Sequence, residues 1–299
     1  MPLAPALHRI STNVRFLTGS LLLPEHAAAL AERLFLTPPR PRIADRHFFD
    51  FCDAHAGFVE HRGRQLATWR WGPTTAPAVL LAHGWGGQAA QMRGFVPGLL
   101  ASGFRVIAYD QPAHGLSEGR LTGLPDFARA LGAVAAHHGG VSHVIAHSLG
   151  AVATAVAMAH GLPLQGAVLI SPPSDLVGFS RRFARWTWMA EPTRRAMQAA
   201  IEERFGVRWA DLEVARLAPR LRAPALVVHD RGDAVVPWAQ GAALARAWPG
   251  ARLLGTRGLG HGRILEAEVT RQAAVDFIAG RSGVAPLAAP ALPHPAPIL

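Results

Sequence analysis

The sequence predicts an α/β fold with a mostly parallel central sheet and helices on both faces. Three observations predict it. Short apolar runs rich in branched residues recur at 79–82, 104–109, 141–146, 166–170, 225–229 and 251–255, separated by stretches of helix-forming residues. One of these runs passes straight into a helix: 141–146 is strand-like, 149–160 is dominated by alanine, and only a sharp turn at Ser148 separates them. Half of the 299 residues are hydrophobic and 17% are charged, enough apolar surface for a sizeable core. In such a fold the functional groups gather at the carboxyl ends of the parallel strands.

Taken in order, the chain divides into an N-terminal helical extension (1–41), the α/β domain (42–282) and a Pro/Ala-rich tail expected to be disordered (283–299). Arg9 and Arg15 precede a short hydrophobic stretch, 17–23, with the outline of a signal peptide. Gly19, Ser20 and Pro24 break it up, and Pro24 suits the first position of a helix running through Phe35. The expected reading of 1–36 is therefore two short helices packed on the main domain. A proline-rich connection, 37–41, leads to strand-like pieces at 48–51, 57–60 and 66–71, with Arg62-Gly63 marking a hairpin turn. Residues 171–222 are too long for a plain crossover, and their apolar residues fall at helical spacing, which predicts a small helical cap.

The chemistry sits in the turns. Ala146-His147-Ser148-Leu149-Gly150 is a variant of G-x-S-x-G with alanine at the first glycine. That motif needs small residues two before and two after the serine, because neighbouring side chains would collide in the turn from strand to helix. The turn lifts the serine Oγ clear of the sheet, beside the N–H groups of a helix N-terminus. A serine is also a common helix N-cap, so the pentapeptide alone leaves both readings open. A nucleophilic serine requires a histidine base and an acid to orient it. The run 225–229 leads into Asp230-Arg231-Gly232-Asp233-Ala234-Val235-Val236-Pro237, and 251–255 leads into Gly258-Leu259-Gly260-His261-Gly262. Upstream, 77–82 leads into His83-Gly84-Trp85-Gly86-Gly87, and 104–110 into Gln111-Pro112-Ala113-His114-Gly115-Leu116-Ser117.

With these five motifs in this order, the chain resembles the α/β-hydrolase superfamily over roughly 48–280. The resemblance implies the α/β-hydrolase fold and a triad of Ser148, Asp233 and His261. It also implies an oxyanion hole from the backbone N–H groups of Trp85 and Leu149. His114 and Ser117 read as structural turn residues, and Ala113 stands where the family carries glycine. Asp175, after the run ending at Ile170, and Asp230 are the alternative acids; Asp233 is preferred because Asp-x-x-Asp-x-x-Val-Pro resembles the family's acid turn. The expected reaction is carboxylic-ester hydrolysis, of a small to medium apolar acyl or alkyl ester. Thioester hydrolysis, C–C bond hydrolysis and perhydrolysis use the same triad, and a catalytically silent binding protein would share the fold. The expected pocket residues are His83, Trp85, Phe179, Phe183 and Trp186.

Other function classes fit less well. Gly84-Trp85-Gly86-Gly87-Gln88-Ala89 also matches a dinucleotide fingerprint, with Asp110 where a ribose-binding acid would fall. That reading leaves Ser148, Asp233 and His261 unexplained. All 30 basic residues are arginines and the formal charge is +10, yet they are scattered, with only Arg181, Arg182 and Arg185 grouped near the site. Compositional bias accounts for this better than a nucleic-acid partner. His137-His138, His143 and His147 lack the spacing of a metal site, so neither cofactor nor metal is expected. The only cysteine, Cys52, allows no intrachain disulfide. No apolar stretch approaches the roughly 20 residues of a membrane span. The expected protein is therefore soluble and cytoplasmic, acting on a small-molecule ester, with its oligomeric state undetermined.

Overall fold

Arg62 and Gly63 both take positive φ (53° and 72°), and the tight turn they make folds β1 (His55–His61) onto β2 (Arg64–Trp71) as an antiparallel hairpin. In the computed structural model the described residues are 13–39, except Arg15 and Leu21, and 53–280. The expected strand at 48–51, the tail at 283–299 and the extreme N-terminus lie outside them. β2 pairs antiparallel with β4 (Arg105–Tyr109); β3 (Ala78–Ala82), β5 (His143–His147), β6 (Gly166–Ile170), β7 (Ala225–Asp230) and β8 (Arg252–Thr256) then run parallel to it. The order across the eight-stranded sheet is β1-β2-β4-β3-β5-β6-β7-β8. This is the α/β-hydrolase architecture.

The central strands are continuous apolar runs because both of their faces are covered. Leu80 and Ala82 of β3, with Val144 of β5 and Val227 of β7, pack against helices Leu124–His137, Leu149–Ala159 and Trp238–Ala247. Their neighbours of opposite parity, Val79, Leu81, Ile145 and Val228, pack against Val96–Ala101 and Glu268–Ile278. In chain order we call the helices α1 (Pro24–Leu36), α2 (Val96–Ala101), α3 (Leu124–His137), α4 (Leu149–Ala159), α5 (Leu176–Thr187), α6 (Glu191–Phe205), α7 (Trp238–Ala247) and α8 (Glu268–Ile278). β5 starts two residues later than its apolar run, because Ser142 spends its N–H and its hydroxyl on the Ala78 carbonyl. It ends at His147, leaving Ser148 alone between strand and helix.

Helices α5 and α6 lie between β6 and β7, above the carboxyl ends of the strands. Arg194, buried in α6, ties them together by donating to Ser180 of α5 as well as to Glu191 and Gln198. Helix α1 joins this layer: Ala31 and Leu36 pack with Met197 and Ile201 of α6 in a third apolar cluster, and Glu32 pairs with Arg204. Among the described residues no helix is long and apolar enough to cross a membrane.

Candidate active site

Ser148 sits at φ 51° and ψ −122°, a strained conformation for a residue with a side chain, set by the abrupt passage from β5 to α4. Its N–H donates to the Ile170 carbonyl at 2.8 Å, anchoring the turn to β6. The turn is crowded. A Cβ on Gly84 would lie 2.7 Å from the Ser148 Cβ, and one on Gly150 would lie 2.5 Å from the His83 carbonyl oxygen. Ala146, buried in β5, fits where the motif usually carries glycine. The serine makes no side-chain capping bond to α4. Its hydroxyl instead donates to His261 Nε2 at 3.1 Å.

His261 Nδ1–H donates to Asp233 Oδ2 at 2.7 Å. The other Asp233 oxygen accepts from the N–H groups of Val235 and Val236, both at 2.8 Å. Burial alone would push this carboxyl up, but the hydrogen bonds from His261, Val236 and Val235 outweigh it and hold the group at about 2. Asp233 is therefore ionised and aimed. Asp230 is engaged elsewhere, accepting from the Thr256 hydroxyl and from the N–H of Leu259 and so joining the end of β7 to the loop that carries His261. Asp175 caps α5 by accepting from the Gly178 N–H at 2.6 Å and makes no bond to His261. Of the three candidate acids, the geometry brings Asp233 to the histidine.

Two further histidines hold the loop before the serine. Gln111 donates its N–H to His83 Nε2, which fixes the proton on Nδ1, and Nδ1–H donates to the Gly84 carbonyl at 2.7 Å. His114 Nδ1–H donates to the Pro112 carbonyl, leaving Nε2 to accept from the Gly86 N–H at 2.9 Å. The peptide groups on either side of Trp85 are thus gripped from both ends. Burial holds His83 well below the usual histidine range and His114 at about 4, so both stay neutral acceptors near neutral pH. Leu149 opens α4, where a helix N–H has no partner within its own helix. His147 contributes from below: its Nε2–H donates to the His261 carbonyl at 2.9 Å, and burial lowers it to about 3.

A cavity of about 290 Å³ opens above Ser148 and His261. Trp85 and Phe179 line it, as expected. His83, Phe183 and Trp186 do not, which corrects the sequence reading of the pocket. His83 is fully buried beneath the loop with its ring committed to Gly84 and Gln111. Phe183 packs edge-on against Phe35, and Trp186 points to solvent. Phe179 and Trp186 lie on one stripe of α5, but Trp186 stands two turns further along the helix and clear of the cavity. Among the lining residues that sequence reasoning missed are Phe35 and Leu36 of α1, Thr122, Phe205 at the end of α6, and Trp209 and Leu212 after it. Nothing in the sequence pointed to α1 as part of the pocket, since that role arises from the contact of Phe35 with Phe179, far off in sequence. The proposed dinucleotide acid, Asp110, is fully buried and accepts from the N–H groups of Ala89 and Leu116, which bind the loop internally. Among the described residues no group of three or more His, Cys, Asp or Glu side chains could hold a metal.

A family profile described as the alpha/beta hydrolase family matches residues 79–274, and the chain belongs to that family. Solved structures place it more finely in shape. An esterase from Pyrococcus furiosus superposes with a TM-score of 0.61 at 20% identity, covering 81% of this chain and 98% of that one. Est1E from Butyrivibrio proteoclasticus, solved with ferulic acid bound, gives 0.61 at 18% identity over 76% of this chain and 99% of its own. A predicted CIB-like hydrolase from Thermoplasma acidophilum gives 0.58 at 17%, over 76% and 98%. At these identities the likeness is one of fold. No curated protein matches the chain in sequence.

Proposed function

We propose that the protein is a carboxylic-ester hydrolase in which Ser148 is the nucleophile, His261 the general base and acid, and Asp233 the orienting carboxylate. The observation that carries this is the continuous hydrogen-bond chain from Asp233 Oδ2 through both ring nitrogens of His261 to Ser148 Oγ. Ser148 Oγ attacks the acyl carbon while His261 Nε2 takes its proton. The carbonyl oxygen gains negative charge and is received by the N–H groups of Trp85 and Leu149. Collapse of the tetrahedral species breaks the bond to the leaving alkoxide, which takes the proton back from His261. Water, deprotonated by the same nitrogen, then attacks the acyl-enzyme and releases the acid. The apolar cavity supports a small to medium apolar acyl or alkyl group, covered by a cap built from 171–222.

The test is intact-mass labelling with a fluorophosphonate alongside turnover of p-nitrophenyl esters. The expected result is one adduct on the wild type and none on Ser148→Ala, with ester turnover lost in the variant. A folded wild type that takes no label would overturn the mechanism and favour a silent binding protein.

A further inference from the structure

The outer face of α5 carries aromatic rings and unpaired cations side by side. Phe179, Trp186 and Trp188 are 42%, 55% and 52% exposed. Arg181, Arg182 and Arg185 lie among them, and none pairs with a carboxylate among the described residues. Residues 179, 182 and 186 fall on one stripe of the helix, and the Arg182 guanidinium lies 5.6 Å from the Phe179 ring centre. Ser180, Ala184 and Thr187 on the opposite stripe are buried. The N-terminal segment extends the patch: Ala190, two residues after Trp188, donates its N–H to the Ser20 hydroxyl, and Leu22 and Leu23 beyond it are exposed.

Two half-exposed indoles on one helix end are costly in water, because contiguous apolar surface of this kind is normally covered. The combination is what an interfacial helix presents to a bilayer: tryptophan and phenylalanine for the headgroup boundary, arginine for anionic headgroups. Phe179 belongs both to this face and to the pocket wall, and exposed Val235 also lines the pocket, so the mouth opens beside the patch. Nearby carboxylates do not offset the cations. Asp175 is engaged at the start of α5, and Glu191 is taken by Arg194 and Arg195.

We infer that this face docks on an anionic lipid surface, seating the pocket mouth against the bilayer so that an amphiphilic ester reaches Ser148 from the lipid. Docking itself is independent of the reaction; the delivery of an ester rests on the function proposed above.

The experiment is sedimentation of the full chain with phosphatidylcholine vesicles, with and without phosphatidylserine, at low and high salt. The expected result is binding only to the vesicles containing phosphatidylserine, weakened at least about tenfold by high salt. Two double variants are compared, Trp186→Ser with Trp188→Asn, and Arg181→Glu with Arg185→Glu. Asparagine suits the left-handed backbone at 188 (φ 59°), and none of the four side chains lines the pocket. Each variant should bind about tenfold more weakly or worse, with its thermal midpoint and its turnover of a water-soluble short ester unchanged. Wild type that stays in the supernatant with phosphatidylserine, or variants that bind undiminished, would overturn the proposal. So would a wild-type dimer that the tryptophan variant converts to a monomer without any vesicle binding, since a second copy would then cover the face. If docking succeeds but no ester is turned over, the surface stands and the reaction fails.

Discussion

Trp85 is held by groups that do not line the cavity. His83 grips the Gly84 carbonyl and His114 accepts from the Gly86 N–H, so the direction of the Trp85 N–H is set by two neutral imidazoles. Removing an oxyanion donor outright costs about 10²–10³ in kcat. His114→Phe keeps an aromatic ring but loses the acceptor for the Gly86 N–H and the donor to the Pro112 carbonyl, so we expect a fall of about tenfold in kcat with KM little changed. Unchanged steady-state kinetics for this variant would show that the loop needs no such grip. One residue away, Ala113 sits at φ 65°, where the family pattern carries glycine. An alanine there costs roughly 1–2 kcal/mol, part of which is recovered through the stiffer unfolded chain. Ala113→Gly should therefore stabilise the protein by about 0.5–1 kcal/mol and raise the thermal midpoint by about 2 °C. A lower midpoint would mean that the strain is compensated by contacts of the methyl group.

Helix α1 is the element whose importance the chain hides best. Phe35 stacks with Trp209 at 5.7 Å and meets Phe179 edge-on at 5.7 Å, so α1 and the segment between β6 and β7 close the pocket together. Phe35→Ala should shift the p-nitrophenyl ester profile toward longer acyl chains, each added buried methylene contributing about 0.8 kcal/mol. An unchanged profile would place the acyl group elsewhere. The strands were legible because each is a short buried run bounded by turn residues, and the sheet edges differ from the reading by at most two residues. Ser148, Asp233 and His261 could be singled out in the sequence because each stands in the turn that follows such a strand. The pocket was not legible, because periodicity puts Phe179, Phe183 and Trp186 on one face of α5 but does not tell which stretch of that face lies over Ser148. Nor could it connect Phe35 with Trp209, a contact made only by the packing of α1 on α6. Nor could it find the partner of His147, whose bound carbonyl lies 114 residues away.

For the molecule as a whole, buried neutral histidines make acid the weak side. His114 and His147 are held at about 4 and about 3, below their unfolded value of about 6.5, so the unfolded chain takes up protons that the fold refuses. Their contribution is complete above pH 6.5 and is lost as pH falls toward 3–4. Asp110 acts in the opposite sense: burial raises it to about 6 despite its two N–H bonds, so protonation there is favoured in the fold. Its shift is the smaller, and the histidines dominate. Unfolding free energies from urea titrations at pH 7 and pH 4.5 should differ by several kcal/mol, with the lower value in acid; equal values would contradict the burial argument. Asp233, held at about 2, adds a further loss only as pH falls from about 4 toward 2. The sheet order has one more consequence. Ser148 and the Trp85 loop lie before the insertion, Asp233 and His261 after it, and exposed Gly206 ends α6 between them. A chain severed at Gly206 yields one fragment with Ser148 and another with His261 and Asp233. On the mechanism proposed above neither half would hydrolyse an ester alone, and pairing β6 with β7 would bring the three side chains back together, so the two pieces would form a reporter whose signal reads fragment association.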